Sequence, residues 1–504
     1  MFNEIPILSI LIWLPVVTAV IVLFFGDKQA RTARWLTLLS TVISMIFCVV
    51  MWVGFNNSSS AMQFKEFAVW IPTYHMNYAL GVDGISMPMV VLTVFTTLVV
   101  ILASWTMVTE RVAQYLATFL VMQGMVVGVF AAMDAMLFYF FWEAMLIPMY
   151  ISIGVWGGKN RSYAAVKFFI YTFLGSALML VALLYLAMHA HSFEISAFYP
   201  LHMTLMVQKI IFWAFLFAFA IKVPMWPVHT WLPDAHTAAP TGGSVVLAAL
   251  MLKIGAYGFL RFSLPMVPDA CRYYTWLMIS LSLISIIYIG MVAIVQKDMK
   301  RLIAYSSVAH MGFVTLGCFM IFVILQQTSN VHDAYMSMEG GVVQMISHAF
   351  GSGAMFLAFG ILYRQMKTHD ISGFGGIATK MPILAAFFML FALSNVGLPG
   401  TSGFVGEFMV ILSTVRASFW VTFAAASTLV IGVAYTMWMY KRVFFGKVVN
   451  DKVAALKQAE PIEIFTFGLL ALGVLWIGIY PNALLNILHA SVDHLLQLST
   501  VTKL

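Results

Sequence analysis

The feature that most constrains this chain is a succession of apolar stretches, each close to twenty residues, that follow one another almost without a break through 504 residues. A helix needs about 20 such residues to cross the ~30 Å hydrocarbon core of a bilayer, and lipid offers no partners to the polar groups of irregular backbone. Composition agrees, with 62% of residues apolar and 9% charged, against about 45–50% and about 25% in soluble domains. The chain reads as an all-α polytopic membrane protein, and soluble, disordered and fibrous classes are excluded.

A window of that length predicts fourteen spans, at 5–25, 35–55, 85–107, 113–133, 135–156, 164–188, 208–229, 241–262, 274–295, 302–325, 340–363, 382–414, 418–440 and 463–488. The start, MFNEIPILSILIWLPVVTAVIVLFF, lacks a basic leader segment, carries Glu4 and has no small-residue cleavage site, so it reads as a retained first helix. With the N-terminus outside, the inside loops 26–34, 108–112, 157–163 (with Lys167), 230–240, 296–301, 364–381 and 441–462 hold 18 basic residues. The outside segments hold six, at Lys65, Lys209, Arg261, Arg272, Arg416 and Lys503. A missed span would reverse the side of every later loop and scramble this bias. Both termini are therefore expected on the outer side.

The net charge of +7 is carried by those short loops, so it argues for topology and against nucleic acid. Cys48, Cys271 and Cys318 are isolated in or beside apolar runs, with no CxxC or Cys/His cluster for zinc, iron–sulfur or disulfides. The loops, the longest being 56–84 and 441–462, are too short for a soluble domain. The Gly373, Gly375, Gly376 cluster follows no strand and reads as a loop, not a dinucleotide site.

Six ionisable residues fall inside spans, where a charge costs about 2.5–3.5 kcal/mol on insertion scales. They are Glu143, Lys222, Lys253, His310, His348 and Glu407. A single buried histidine is usually a packing residue, but six titratable groups near mid-depth of separate helices form a set that can pass protons. Burial moves carboxyl and lysine pKa values toward neutrality, and a neighbouring charge switches a group on or off. Asp83 and Asp134 lie near span ends and read as structural. Arg161, Lys297, Lys300 and Arg301 read as topology determinants. Asp234 and His236, in the loop after the seventh span, form a candidate proton entrance.

Two spans carry breaks at the depth of these charges. Pro224 and Pro227 follow Lys222, and each removes a backbone donor, freeing carbonyls near Ala220 and Val223. Gly397, Pro399 and Gly400 stand just before Glu407. Interrupted helices in corresponding halves mark inverted-repeat transporters. Breaks in the seventh and twelfth spans are an odd number of helices apart, which implies copies of opposite orientation. The expected organisation is a three-helix segment at 1–108, a first inverted repeat at 109–263 (spans 4–8), a second at 264–445 (spans 9–13), and a fourteenth-helix segment at 446–504.

The stretches KVPMWPVHTWLPDAHTAAPTGGSVVLAALMLKIGAYGFLRF, KRLIAYSSVAHMGFV and GLPGTSGFVGEF resemble the antiporter-like membrane subunits of respiratory complex I. The similarity runs over roughly residues 80–445. Acid at Glu407, where the L and N branches have lysine, and an end after fourteen spans without a long lateral helix make it most similar to the M branch. The resemblance implies a proton-translocating subunit of an NADH:quinone oxidoreductase. Glu143 would pair with Lys222 as a switch, Lys253 would be the central relay, His310 and then His348 would continue the axis, and Glu407 would deliver protons outside. It implies no cofactor or metal in this chain, with FMN, iron–sulfur clusters and quinone in partner subunits. The implied partners are the neighbouring antiporter-like chains L and N, the peripheral redox arm and the lipid bilayer. Subunits of multisubunit sodium/proton antiporters or membrane-bound hydrogenases, which share the motifs, are the alternative.

Overall fold

A computed structural model describes residues 5–504; Glu4 lies outside them. Among the described residues, thirteen helices are long and apolar enough to cross a membrane. The segment predicted as the twelfth span supplies two shorter apolar helices, Pro382–Val396 and Ser402–Thr414, so the fourteen expected crossings comprise thirteen long helices and one broken one. Burial sorts the spans. The eighth (Thr241–Met266), tenth (Met299–Thr328) and eleventh (Val331–Met366) are enclosed on nearly all sides, while the first, second, sixth, ninth, thirteenth and fourteenth expose broad apolar faces. Lipid is as apolar as leucine, so helices associate through close packing of small residues. Gly255 shows this: a Cβ there would stand 2.9 Å from Lys222 Cβ and 2.8 Å from the Phe219 carbonyl, so the eighth span lies directly against the seventh.

Loop contacts support the alternation of faces. On one face the end of the chain meets two loops that the sequence reading places outside: Ser491 accepts from Gly84 N, and in the 267–274 connection Arg272 donates to the Thr500 carbonyl while Asp269 accepts from Lys503 N. On the other face, the 296–298 loop pairs with the segment at 369–371.

Several boundaries differ from expectation. The seventh span ends at Lys222, not near 229, because Pro224 and Pro227 stop the helix; the supposed loop 230–240 contains a second helical piece, Trp231–Ala238. The fourteenth span ends at Ile479, and Asn482–Thr500 forms a separate amphipathic helix that the apolar window merged with it. The 56–84 loop holds an antiparallel hairpin, Gln63–Ile71 with Met76–Val82. Its Glu66 accepts hydrogen bonds from Leu8 and Ser9 backbone amides and so caps the first span. Arg261, counted with the outer loops, lies inside the eighth span and pairs at 2.7 Å with buried Asp83. Burial alone would raise the Asp83 carboxyl, but the Arg261 guanidinium and the Ser86 hydrogen bonds outweigh it and hold it below the usual carboxylate range. Asp134 caps the fifth span through the Met136 and Leu137 amides.

Candidate functional site

The breaks create the site. At the seventh span the helix ends on Lys222, and Met225 N reaches back to the Ala220 carbonyl that Pro224 leaves free. The Ile221 carbonyl is taken by the Trp231 indole at 2.8 Å. Lys222, expected mid-span, therefore sits at a helix end, where its charge favours the carbonyl pole of the helix. Its Nζ is buried without a hydrogen-bond partner, 5.2 Å from the Trp142 ring centroid and 5.8 Å from that of Phe168.

Glu143 stands where the fifth span bends, between Ala135–Ala144 and Leu146–Trp156, directly beside Trp142. It is half-buried, and its Oε1 has no hydrogen-bond partner. Glu143 and Lys222 form no ion pair within 4 Å among the described residues. The Trp142 ring occupies the space beside the ammonium, so the expected pair is a near approach without contact.

Lys253 follows a π-helical turn at Leu247–Met251 in the eighth span, a deformation frequent at functional sites. Its Nζ donates to the Ala248 carbonyl at 2.5 Å and to His348 Nδ1 at 2.8 Å. The His348 ring lies 5.8 Å from that of His310. His310 Nδ1 donates to Glu407 Oε1 at 2.6 Å, and Gln344 Nε2 donates to the same oxygen at 2.9 Å. Four of the six sequence-derived residues thus form one buried line: Lys253, His348, His310, Glu407. The two histidines come in the reverse of the expected order, because the eleventh span lies between the eighth and the tenth at this depth. The sequence reading missed Gln344, and also Tyr435, whose hydroxyl stands 3.4 Å from His310 Nε2. A polar residue four positions before His348, on the same helical face, was the available signal for Gln344.

The second break aims Glu407 at this line. Gly397 takes a left-handed φ of 79° and Gly400 one of 89°, conformations that cost a side-chain-bearing residue far more than glycine. A Cβ on Gly397 would lie 3.4 Å from Glu407 Oε2, so the carboxylate faces the unwound turn. Gly403 sits where any Cβ would meet the Ser394 carbonyl at 1.8 Å. A small cavity lined by His310, Gln344, Ser347, His348, Ser352 and Asn395 offers about 10 Å³ to a water centre, close to the minimum for one water.

The candidate entrance departs from the sequence reading. Asp234 and His236 lie on the helix Trp231–Ala238 rather than in a loop. Asp234 is held by Lys167 at 2.7 Å and Arg301 at 3.0 Å, and Lys167 also donates to the Thr230 carbonyl inside the break. His236 is fully buried, stacked on Phe356 with centroids 4.4 Å apart, and neither ring nitrogen has a partner. Lys300, read as a topology determinant, is buried, with Nζ donating to the Ala239 carbonyl at 2.5 Å.

Comparison with known proteins joins this geometry to a family. Residues 132–432 match a family described as NADH:quinone oxidoreductase/Mrp antiporter, TM, and residues 10–131 match one described as NADH-ubiquinone oxidoreductase chain 4, amino terminus. NADH-quinone oxidoreductase subunit M of Rhodobacter capsulatus is 44% identical, over 97% of this chain and 96% of that one. Among solved structures, a chain of respiratory complex I from Thermus thermophilus with bound NADH superposes with a TM-score of 0.87 at 28% identity, covering 99% of this chain and 100% of that one. A chain of the Mrp complex from Dietzia sp. DQ12-45-1b shares the fold, with a TM-score of 0.81 at 21% identity over 96% of this chain and 52% of that one. The chain belongs to the NADH:quinone oxidoreductase/Mrp antiporter transmembrane family, on its subunit M branch.

Proposed function

We propose that this chain, a membrane subunit of an NADH:quinone oxidoreductase, carries protons along Glu143, Lys222, Lys253, His348, His310 and Glu407. The observation that carries the reading is a buried line of two hydrogen-bonded pairs, Lys253–His348 and His310–Glu407, whose imidazole rings lie 5.8 Å apart, and which ties the eighth span to the twelfth through the tenth and eleventh. Every member can gain or lose a proton, and no soluble-domain chemistry competes for them. If 109–263 and 264–445 are inverted copies, Glu143 and Lys222 on spans five and seven correspond to His310 and Glu407 on spans ten and twelve. Acid and base are then exchanged between the copies, so a proton arriving at one half meets the opposite charge order in the other.

Redox chemistry in partner subunits, which hold the FMN, iron–sulfur clusters and quinone, alters the balance between Glu143 and Lys222. A proton released by Lys222 passes to Lys253, then to His348, His310 and Glu407, and leaves on the outer side. Moving one charge outward costs about 2.3 kcal/mol per 100 mV, and a shift of several pKa units at about 1.4 kcal/mol each is of the size needed. The 44% identity to a subunit M favours this assignment over the sodium/proton antiporter or hydrogenase alternative. The flanking partners are the antiporter-like chains L and N, in a bacterial inner membrane with both termini outside. In inside-out vesicles, Lys222→Ala, Glu143→Ala and Lys253→Met each abolish pumping through this chain while the complex assembles. An unchanged proton-to-NADH ratio in all three defeats the reading.

A further inference from the structure

The relay just described begins inside the protein, and something must feed it from the face rich in lysine and arginine. That face carries a polar cavity of about 290 Å³, lined by Trp156, the turn Thr237–Thr241, Lys300, Tyr363 and Lys367. Lys300 is the one cation of this lining that is almost wholly buried, 4% exposed. Of its three N–H donors, one goes to the Ala239 carbonyl, and no other partner is present among the described residues. The remaining donors stand at a cavity with room for several waters. Two other basic side chains of the cavity are already engaged: Arg364 pairs with Glu463 at 2.9 Å, and His369 Nδ1 lies 3.2 Å from Asp298.

Ala239 ends the helix that carries His236, less than one turn earlier. The His236 ring is buried with both nitrogens unpartnered, and burial first, then the fields of Lys300 and Lys253, hold it below the ordinary imidazole range, so a proton there is passed on rather than kept. The stacking partner of that ring, Phe356, lies on the same helix as cavity-lining Phe359 and Gly360. The cavity-lining residues Thr237 to Thr241 thus begin directly after this imidazole in the chain.

We infer that Lys300 is the proton-uptake residue of this chain, taking protons from water in the basic-face cavity and passing them through His236 to Lys253. The step balances as proton transfer alone. The Lys300 ammonium gives one proton, across a bridging water, to a His236 ring nitrogen and becomes an amine, and cavity water returns a proton drawn from the basic side. His236 then gives up a proton on its way to Lys253 and is neutral again. Asp234, which with His236 formed the candidate entrance, does something else. Engaged by Lys167 and Arg301, it holds the Trp231–Ala238 helix in place. The inference rests on the relay reading above.

The test uses Lys300→Arg in the whole complex. Arginine keeps the charge, and so any topological role, but a guanidinium does not release its proton. Proton uptake in inside-out vesicles falls at least tenfold while assembly is unchanged, and Lys300→His restores part of it. If Lys300→Arg pumps at the parent rate while Glu407→Gln does not, the inlet is wrong and the relay stands; if both pump normally, both fall. A second measurement covers poor assembly of the arginine variant. Exposed Lys367 at the cavity mouth, changed to cysteine, is labelled from the basic side with a membrane-impermeant maleimide. The native cysteines are buried. Blocked pumping after labelling supports the inlet, and undiminished pumping after complete labelling overturns it.

Discussion

Glu407→Gln isolates the charge of the last group in the proposed relay. Glutamine retains an oxygen able to accept from His310 Nδ1 and Gln344 Nε2, so the hydrogen-bond frame at 2.6 and 2.9 Å can persist. What disappears is the attraction between an imidazolium at His310 and the carboxylate. At 2.6 Å and an effective dielectric constant of about 20 that attraction is about 6 kcal/mol. The cost of burying the imidazolium is common to both proteins and cancels in the comparison. At 1.4 kcal/mol per tenfold, losing that attraction slows proton passage by about 10⁴-fold, and water entering the site to halve the figure still leaves about a hundredfold. Either value stops measurable proton passage through this chain. The assay follows NADH oxidation and vesicle acidification together in inside-out membranes, with native electrophoresis to check assembly. A Glu407→Gln complex that assembles and moves as many protons per NADH as the parent refutes the reasoning.

Trp231→Phe leaves the Ile221 carbonyl unpaired at the first break, costing about 1–3 kcal/mol; an unchanged melting temperature in detergent would show that another donor takes over. Asp83→Asn leaves Arg261 buried without its anion and destabilises the protein by about 3–5 kcal/mol at neutral pH. Because the folded Asp83 carboxyl is held below its usual range, the parent's advantage is full above the unfolded pKa, near 4, and disappears as pH falls through the folded value; thermal unfolding at pH 7 and pH 3 checks the sign. Gly403→Ala drives a methyl into the Ser394 carbonyl and should deplete the subunit from the assembled complex, whereas parent-level incorporation on native gels would contradict the close approach.

The spans were legible because a bilayer imposes one length and one polarity on every crossing, and the lysine and arginine alternation checks their parity. The breaks were legible too, since a proline removes a donor wherever it stands. What escaped were mostly features set by tertiary contact. The helix Asn482–Thr500 merges into its apolar neighbour in a twenty-residue window, although Pro481 at its N-cap breaks the chain between them. Arg261 and Lys300, near span ends in sequence, look like loop charges until the fold buries one beside Asp83 and the other beneath Ala239. Lys167, counted with the basic residues of an inside loop, instead holds Asp234 and the Thr230 carbonyl at the break. Chain order also misled: His310 precedes His348 in sequence but follows it in space, because the longer eleventh helix passes between the eighth and tenth.

That reversal bears on how a buried relay can have a direction. Lys253 and His348 share a hydrogen bond between two bases, whereas His310 and Glu407 share one between a base and an acid. A proton held between two bases meets no opposite charge, while one at His310 is neutralised by the carboxylate, so the line descends in energy toward Glu407. Descent alone would trap the proton there. Release requires the carboxylate to be disturbed, and Glu407 lies against an unwound turn whose glycines at 397 and 400 adopt left-handed conformations. A helix break can shift by backbone torsion where a continuous helix cannot. The first break, at Lys222, stands in the same relation to the start of the line. In the proposed relay the two unwound turns are therefore the places where a conformational signal from partner subunits can change proton affinity, and the rigid spans between them need only conduct.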